Sequence, residues 1–346
     1  MFDLTVLIPT YNRADRLVKS LNSYLSEDLK NVEFLVIDND SSDNTFLSIK
    51  NYIENGKIRY EKNYKNIGAN RSLYFGFLKA KSKWICILPD DDYLEKGFLS
   101  ELIIATKKNS NKGLIIPAQK HMNGEYTKCF DKSTSLSKGI EAMMVSYMYS
   151  GSITGLCFNK QVLDYQNWKL DDSIYPQIRN AINLSKSFDI YYLVPDNYPI
   201  IGIGDPISIR INDSANRPLD YGVFERLDIL YDKSLALDKD IINKLSITIF
   251  MWTISIFEEL YAYNKSYAFK YLNCLITKSE IKNSFLFWLI LYYNIFIKYN
   301  FNLKTKLTVV IKTIPKVIAS ILLNRNNEIW FIIKNRNSLL NKAKHV

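Results

Sequence analysis

Three adjacent carboxylates, Asp90, Asp91 and Asp92, stand just beyond the apolar run Trp84 to Leu88, in the stretch Ile87-Leu88-Pro89-Asp90-Asp91-Asp92-Tyr93. Burying such a cluster without a counter-ion is costly. Carboxylate oxygens are hard donors suited to Mg²⁺ or Mn²⁺, ions that commonly take one or two protein carboxylates and complete their shell with diphosphate oxygens. A solvated acidic turn capping the next helix is the competing reading. Two earlier apolar runs also end in polar blocks, Ile8-Pro9-Thr10-Tyr11-Asn12-Arg13 and Val36-Ile37-Asp38-Asn39-Asp40-Ser41-Ser42-Asp43-Asn44-Thr45. In these, Thr10 and Asn12 suit the cap of a helix starting near Arg13, and Ser41, Ser42 and Asp43 suit the cap of the next.

Placing these blocks side by side requires strands that end together. Residues 1–120 alternate short apolar runs with helical-period segments, the pattern of strand-helix units on a mostly parallel sheet. Strands are expected at Leu4–Ile8, Val32–Ile37, Ile58–Tyr60, Trp84–Leu88 and Leu114–Ile116. Helices are expected around Leu17, Leu21, Tyr24 and Leu25, from about Ala69 with Leu73 and Phe77 on one face, and around Phe98, Leu99, Leu102 and Ile103. In such open sheets ligands bind beyond the carboxyl ends of the strands. Residues 120–215 are more irregular, with a Ser/Thr/Lys-rich loop at Asp131–Lys138, a strand at Ile153–Phe158 and a Gly/Pro-punctuated stretch from Pro195 to Pro206.

The 346 residues, 47% hydrophobic and 23% charged with 12 Gly and 9 Pro, exclude a collagenous or largely disordered chain and suggest two domains. Cys86, Cys129, Cys157 and Cys274 are widely spaced and only His121 and His345 could join them, which disfavours a zinc site or a disulfide framework. Met1-Phe2-Asp3-Leu4 lacks the features of a secretory signal, so a cytoplasmic location is expected. The net charge of +10 is unevenly placed. From Lys244 onward 15 Lys and Arg face 4 Glu, a net of +11, leaving −1 for residues 1–243.

A third block, Asn63-Tyr64-Lys65-Asn66-Ile67-Gly68-Ala69-Asn70-Arg71, completes a series. Together the four blocks resemble family 2 of the nucleotide-sugar glycosyltransferases with the GT-A fold. Members of that family run from P-T-Y-N through V-x-D-x-x-S-x-D-x-T and N-x-G-x-x-x-A/N-R to a D-x-D-type metal motif. The resemblance covers residues 3–120 well, 120–215 loosely and nothing beyond. It implies an α/β GT-A domain, a Rossmann-like mostly parallel sheet binding a nucleoside-diphosphate sugar with Mn²⁺ or Mg²⁺. It places Pro9, Thr10, Tyr11 and Asn12 beside the base, Asp38 on the base or ribose, and Asp40 in support. Stacking by an aromatic ring and acceptance of a base N–H or ribose hydroxyl by a carboxylate agree with that placement. Asn66 and Gly68 then form the turn that opens a helix beside the diphosphate, where Arg71 supplies positive charge. Alignment on Leu94 and Gly97 puts Asp91 at the principal metal position and Asp90 at its sugar-side neighbour. Pro89 stands where the family commonly has an Asp, so the order expected for metal ligation is Asp91, then Asp92, then Asp90.

The family reaction is usually inverting, with a carboxylate base in an acidic pair ahead of a helix. Leu170-Asp171-Asp172-Ser173-Ile174-Tyr175-Pro176-Gln177 matches, giving Asp171 or Asp172 as base, unless the pair merely caps the helix leading to Ile178 and Ile182. His121 could face an acceptor. Gly202-Ile203-Gly204-Asp205 departs from G-x-G-x-x-G, against a nicotinamide enzyme. A sugar-phosphate nucleotidyltransferase would need a Gly-rich loop after the first strand. A non-catalytic nucleotide-sugar-binding or membrane scaffold is the rival outside enzymes, and the intact Asp triplet argues against it.

The expected organisation is a catalytic domain at 1–217 and a basic, aromatic-rich helical domain at 218–346. The latter carries Trp252, Phe257, Tyr261, Trp288, Trp330 and Phe331 among lysines, and an apolar block at Phe285–Ile297 too short to span a bilayer. It could lie on an anionic membrane surface, pack internally or into a homo-oligomer, or serve nucleic acid, the last being disfavoured. The acceptor implied is a glycan or lipid-linked sugar of cell-surface polysaccharide or lipopolysaccharide synthesis, with the enzyme peripheral on the cytoplasmic face of the membrane.

Overall fold

The computed structural model describes residues 2–173 and 175–202, with isolated positions between 226 and 242. The chain divides into two compact units, Met1–Asn212 and Asp213–Val346. In the second, the described positions include a short 3₁₀ turn at Lys233–Leu235. The boundary expected at 217, the helical domain from 218 and the block at 285–297 lie outside the described residues. Among the described residues, no helix is long and apolar enough to cross a membrane.

The first unit begins with β1 (Leu4–Thr10), α1 (Ala14–Tyr24), β2 (Val32–Asp38), α2 (Thr45–Glu54), β3 (Arg59–Lys62), α3 (Ala69–Lys79) and β4 (Trp84–Ile87). It continues with β5 (Tyr93–Leu94), α4 (Phe98–Lys108), β6 (Leu114–Pro117), β7 (Gln119–His121), β8 (Tyr126–Thr127) and β9 (Thr134–Leu136). The last elements are α5 (Ile140–Tyr149), β10 (Cys157–Asn159), α6 (Pro176–Ser187), β11 (Ile190–Leu193) and β12 (Pro199–Ile201). Eight strands form one sheet in the order β3-β2-β1-β4-β10-β6-β11-β9, and β5-β12-β7-β8 form a smaller one. In the large sheet β3, β2, β1 and β4 run parallel, while β10 is antiparallel to both β4 and β6.

The period-2 alternation of strand side chains sorts the core onto two faces. Leu4, Val6 and Ile8 join Leu17 and Leu21 of α1, Ile49 of α2 and Phe98 and Leu102 of α4. Leu7, Leu35 and Ile37 join Leu73 and Phe77 of α3, Ala142 and Val145 of α5 and Ala181 and Leu184 of α6. Helices therefore cover both faces, which is why β1 and β2 read as nearly unbroken apolar runs.

Two sequence expectations shift and one helix is new. The Ser/Thr/Lys-rich segment expected as loop contains β9, an edge strand antiparallel to β11 that pairs Thr134 with Tyr192 and Leu136 with Ile190. The strand expected from Ile153 starts only at Cys157, because Gly155 has φ +79°, a left-handed conformation that interrupts extended chain. Helix α5 was not anticipated, since Ile-Glu-Ala-Met-Met-Val-Ser-Tyr-Met-Tyr is apolar on nearly every side and shows no clear helical period.

Candidate active site

The parallel strands β1, β2 and β4 share one register, Leu4 opposite both Val32 and Trp84, so their carboxyl ends converge. At the end of β1, Thr10 donates its hydroxyl to Asp90 Oδ2 at 2.7 Å, and Arg13 donates from Nη1 to Asp90 Oδ1 at 3.0 Å and Asp91 Oδ2 at 2.9 Å. Arg16, one helical turn on, reaches Asp91 Oδ2 at 3.5 Å. Asp90 and Asp91 thus have their counter-ions at the start of α1, Arg13 at its N-cap and Arg16 in its first turn.

The three carboxylates have different surroundings. Asp90 is buried; its pKa is raised by burial, partly opposed by Arg13 and the Thr10 hydrogen bond. Asp92 is also buried, accepting from the Thr154 hydroxyl and from the Gly202 amide at 2.7 Å. Burial pushes its pKa up to about 7 against these two hydrogen bonds, with Asp91 and Asp90 adding to the rise. Asp91 retains 23% side-chain exposure. Tyr24 of α1 donates to the carbonyls of Pro89 and Asp92, holding the backbone of the turn from beneath.

Next to β1, the turn after β2 is tied down from two sides. Asp38, 1% exposed, accepts from the Ser41 amide and the Tyr60 hydroxyl. Asp40 has φ +67° and pairs with Lys62 at 3.1 Å. Asn12, at φ +53°, gives its amide to Ser41 Oγ and accepts at Oδ1 from the Ser42 amide. Helix capping follows the sequence for Asp43 alone: Arg13 and Asn44 occupy the N-cap positions of α1 and α2 without side-chain caps. Asp43 serves both helices, accepting from the Ala14 amide and from the amide of Thr45. Pro9 stays in the β1 ladder opposite Ile37, and the Tyr11 ring is 43% exposed. A polar cleft of about 560 Å³ opens here, bordered by Asn12, Arg13, Arg16, Asp43, Asn44 and Ser48.

The turn before α3 forms an amide ladder. Asn39 donates to Asn66 Oδ1 at 2.8 Å and accepts from the Asn63 side chain and the Ile67 amide. Asn66 also receives the Gly68 amide, and Gly68, at φ +84°, stands directly before α3. From the first turn of α3, Arg71 reaches across to the acidic pair, donating to Asp172 Oδ1 at 2.9 Å and the Leu170 carbonyl at 2.9 Å. The pair does not cap α6: the N-cap there is Tyr175, without a side-chain bond, and no acidic residue lies in its first turn. Asp171 instead accepts from Asn70 and Ser173 at Oδ1 and pairs with Lys169 through Oδ2, whereas the Asp172 side chain is 88% exposed. His121 bonds Thr127 Oγ1 through Nε2 at 2.8 Å within the β7–β8 hairpin.

Arg13, Arg16, Asn39, Asn70, Thr154 and Gly202 have no role at this site in the sequence reading. Arg13 had a signal, its place right after the Thr-Tyr-Asn block; Thr154 and Gly202 had none, being brought to Asp92 from 62 and 110 residues away. Among the described residues, no group of three or more His, Cys, Asp or Glu is arranged to hold a metal ion. What the triplet offers is one accessible hard donor, Asp91, at the strand ends. That fits a cation whose remaining ligands come from a diphosphate.

A doubly wound sheet with an antiparallel strand inserted beside β4, and an acidic cluster beyond the parallel strand ends, is the arrangement of a GT-A fold. Residues 5–152 match the family model for glycosyl transferase family 2, and the chain is a glycosyltransferase. It is 27% identical over 249 residues to the GalNAc(5)-diNAcBac-PP-undecaprenol beta-1,3-glucosyltransferase of Campylobacter jejuni, covering 68% of this chain and 76% of that one. In fold it is similar to Staphylococcus aureus TarS 1–349 in complex with UDP-GlcNAc, with TM-score 0.57, 13% identity and coverage of 91% and 89% of the two chains. It is likewise similar to the mannosyltransferase PcManGT of Pyrobaculum calidifontis in complex with GDP-Man and Mn²⁺, with TM-score 0.51, 14% identity and coverage of 91% and 86%.

Proposed function

We propose that the first unit transfers a sugar from a nucleoside-diphosphate sugar, UDP-linked in the first instance, to a hydroxyl of a lipid-linked glycan, with inversion. The observation that carries this reading is the 2.9 Å pair between Arg71 and Asp172, which sets the turn proposed to hold the donor diphosphate beside an exposed carboxylate. Asp172 is the base and Asp171 its structural neighbour, because both Asp171 oxygens are already engaged. The UDP-GlcNAc complex of TarS and the undecaprenol-linked substrate in the name of the Campylobacter relative support the donor and acceptor classes.

In the reaction, the acceptor oxygen forms a bond to the anomeric carbon while the bond from that carbon to the diphosphate oxygen breaks. The leaving oxygen keeps the electron pair, and Asp172 takes the acceptor proton. Tyr11 stacks on the base, with Asp38, Asp40, Thr10 and Asn12 shaping the floor around it. Asn66 and Gly68 set the turn beside the diphosphate, and Asp90 and Asp92 hold the strand-end turn in shape. Asp91 would hold Mg²⁺ or Mn²⁺, whose role when bound is to offset charge developing on the diphosphate. The basic, aromatic segment from Lys244 onward supports contact with an anionic membrane surface on the cytoplasmic face, where a lipid-linked acceptor resides.

The test is a thermal-shift and calorimetry panel of UDP, GDP, CDP and dTDP, with and without Mn²⁺, on wild type and Asp91→Ala, followed by turnover of Asp172→Asn. One diphosphate should bind, with metal, to wild type alone. Asp172→Asn should bind the donor normally and lose roughly 10²- to 10⁴-fold in turnover. Binding of no diphosphate would overturn the donor assignment, and undiminished turnover by Asp172→Asn would remove it as the base.

A further inference from the structure

Asn70 occupies the first turn of α3 and is 1% exposed. A buried primary amide must find partners for two protons and an oxygen. Asn70 finds all of them on one remote loop. Its Nδ2 donates to the carbonyls of Lys169 at 2.8 Å and Asp171 at 3.1 Å and to Asp171 Oδ1 at 3.0 Å, and its Oδ1 accepts from Trp168 Nε1 at 2.8 Å. These contacts cross 98 to 101 residues of sequence.

The loop is held a second way. The Trp168 ring lies edge-on to Tyr74 at 5.4 Å and tilted against Phe77 at 5.3 Å, both from α3. With the indole anchored in this aromatic cluster, its N–H fixes which way the Asn70 amide faces, and the amide then fixes the carbonyl of the peptide joining Asp171 to Asp172. Asp172 itself is 88% exposed, so its direction is set by its pair with Arg71 at 2.9 Å and by the backbone that Asn70 holds.

We infer that Asn70 is a positioning residue for the glycosyl transfer. It pins the loop that presents Asp172 to the same helix that opens beside the donor diphosphate, so that base and donor share one rigid platform. The inference rests on the reading of Asp172 as the base. Acting through Asp171 and Asp172, Asn70 touches neither donor nor acceptor. A misplacement of about 1 Å in a reacting group costs on the order of 10²-fold in rate, which is the scale of effect at stake.

The test uses the full chain with UDP-glucose and UDP-N-acetylglucosamine as probes in Mn²⁺, following UDP release, together with hydrogen exchange. Asn70→Asp keeps the size and the acceptor for Trp168 but turns a donating amide into a carboxylate facing Asp171. It should lower kcat roughly 10- to 100-fold with donor KM within about twofold. Exchange should rise at least about tenfold in residues 168–173 while β1, β2 and β4 keep their protection. Unchanged exchange in 168–173, unchanged kcat, or kcat and KM failing together with protection lost throughout the sheet would each overturn the inference. Trp168→Phe keeps the ring and removes only the N–H. It should move kcat and loop exchange the same way by a smaller factor, and decides the matter if Asn70→Asp does not fold. Asp172→Asn, run alongside, separates the two readings. Undiminished turnover there defeats the base assignment, whereas its loss beside a wild-type-like Asn70→Asp defeats the positioning role alone.

Discussion

The Gly202 amide donates to Asp92 Oδ1 at 2.7 Å, and a Cβ at Gly202 would stand 2.0 Å from the Asp91 carbonyl oxygen. The chain leaving β12 therefore presses on the backbone of the acidic turn at a place where only a glycine fits. Asp92 closes this contact from one side and the Thr154 hydroxyl closes it from the other, so the middle of the domain is clamped through a single buried carboxylate.

Thr154→Val should destabilise the first unit by about 1–3 kcal/mol, because a buried carboxylate oxygen loses its donor and receives a methyl group. Gly202→Ala should cost a comparable amount through overpacking, about 1–3 kcal/mol. Urea unfolding with far-ultraviolet dichroism measures both; a change under 0.3 kcal/mol, roughly the noise of such comparisons, would refute the clamp.

Arg13 bridges Asp90 and Asp91, and Asp90 is 4% exposed. Arg13→Gln should lower stability by about 1–3 kcal/mol, since a buried charge loses its charged partner. The loss should be smaller for Arg16→Gln, whose contact to Asp91 is longer at 3.5 Å. Paired denaturation curves give the ranking, and the reverse order would show that the bridge does not hold the triplet.

Asp43 has a pKa below its ordinary 3.8, burial tending to raise it and hydrogen bonds from the Thr45 hydroxyl and the amides of Ala14 and Thr45 prevailing. A depressed carboxyl favours the folded state when ionised. Its contribution is therefore full above about pH 4 and fades as pH falls through the lower folded-state value. Asp43→Asn should cost about 1 kcal/mol at pH 7, a modest figure for an exposed cap, and the difference from wild type should shrink as the pH falls below the ordinary carboxyl value of 3.8. A pH-independent difference would rule out the linkage.

Cys86 and Cys157 are buried neighbours on β4 and β10, and burial raises both thiols well above their ordinary range. In the native protein neither should react with a maleimide at pH 7.5, while both should react in urea. Peptide mapping by mass spectrometry after timed alkylation reads this out, and fast native labelling at either position would contradict the packing.

What the sequence determined by itself is the half of the sheet built on β1, β2 and β4 and the polar blocks that end those strands. Leu4–Thr10, Val32–Asp38 and Trp84–Ile87 are buried on both faces, so their apolar runs are continuous and legible, and the polar blocks that end them are short and local. The family followed from those blocks. Tertiary structure decided what each site residue is left able to do. Asp90, Asp91 and Asp92 are the same residue type in one unbroken run, and only the approach of Arg13, Arg16, Thr154 and Gly202 makes two of them buried and one accessible. Asp171 and Asp172 are likewise equivalent as text; the Asn70 amide and the Lys169 ammonium engage the first, while the second faces Arg71 and solvent. Local pattern records burial and turn chemistry within a few residues, whereas hydrogen bonds that span 60 to 110 positions exist only once the strands and helices have been brought together.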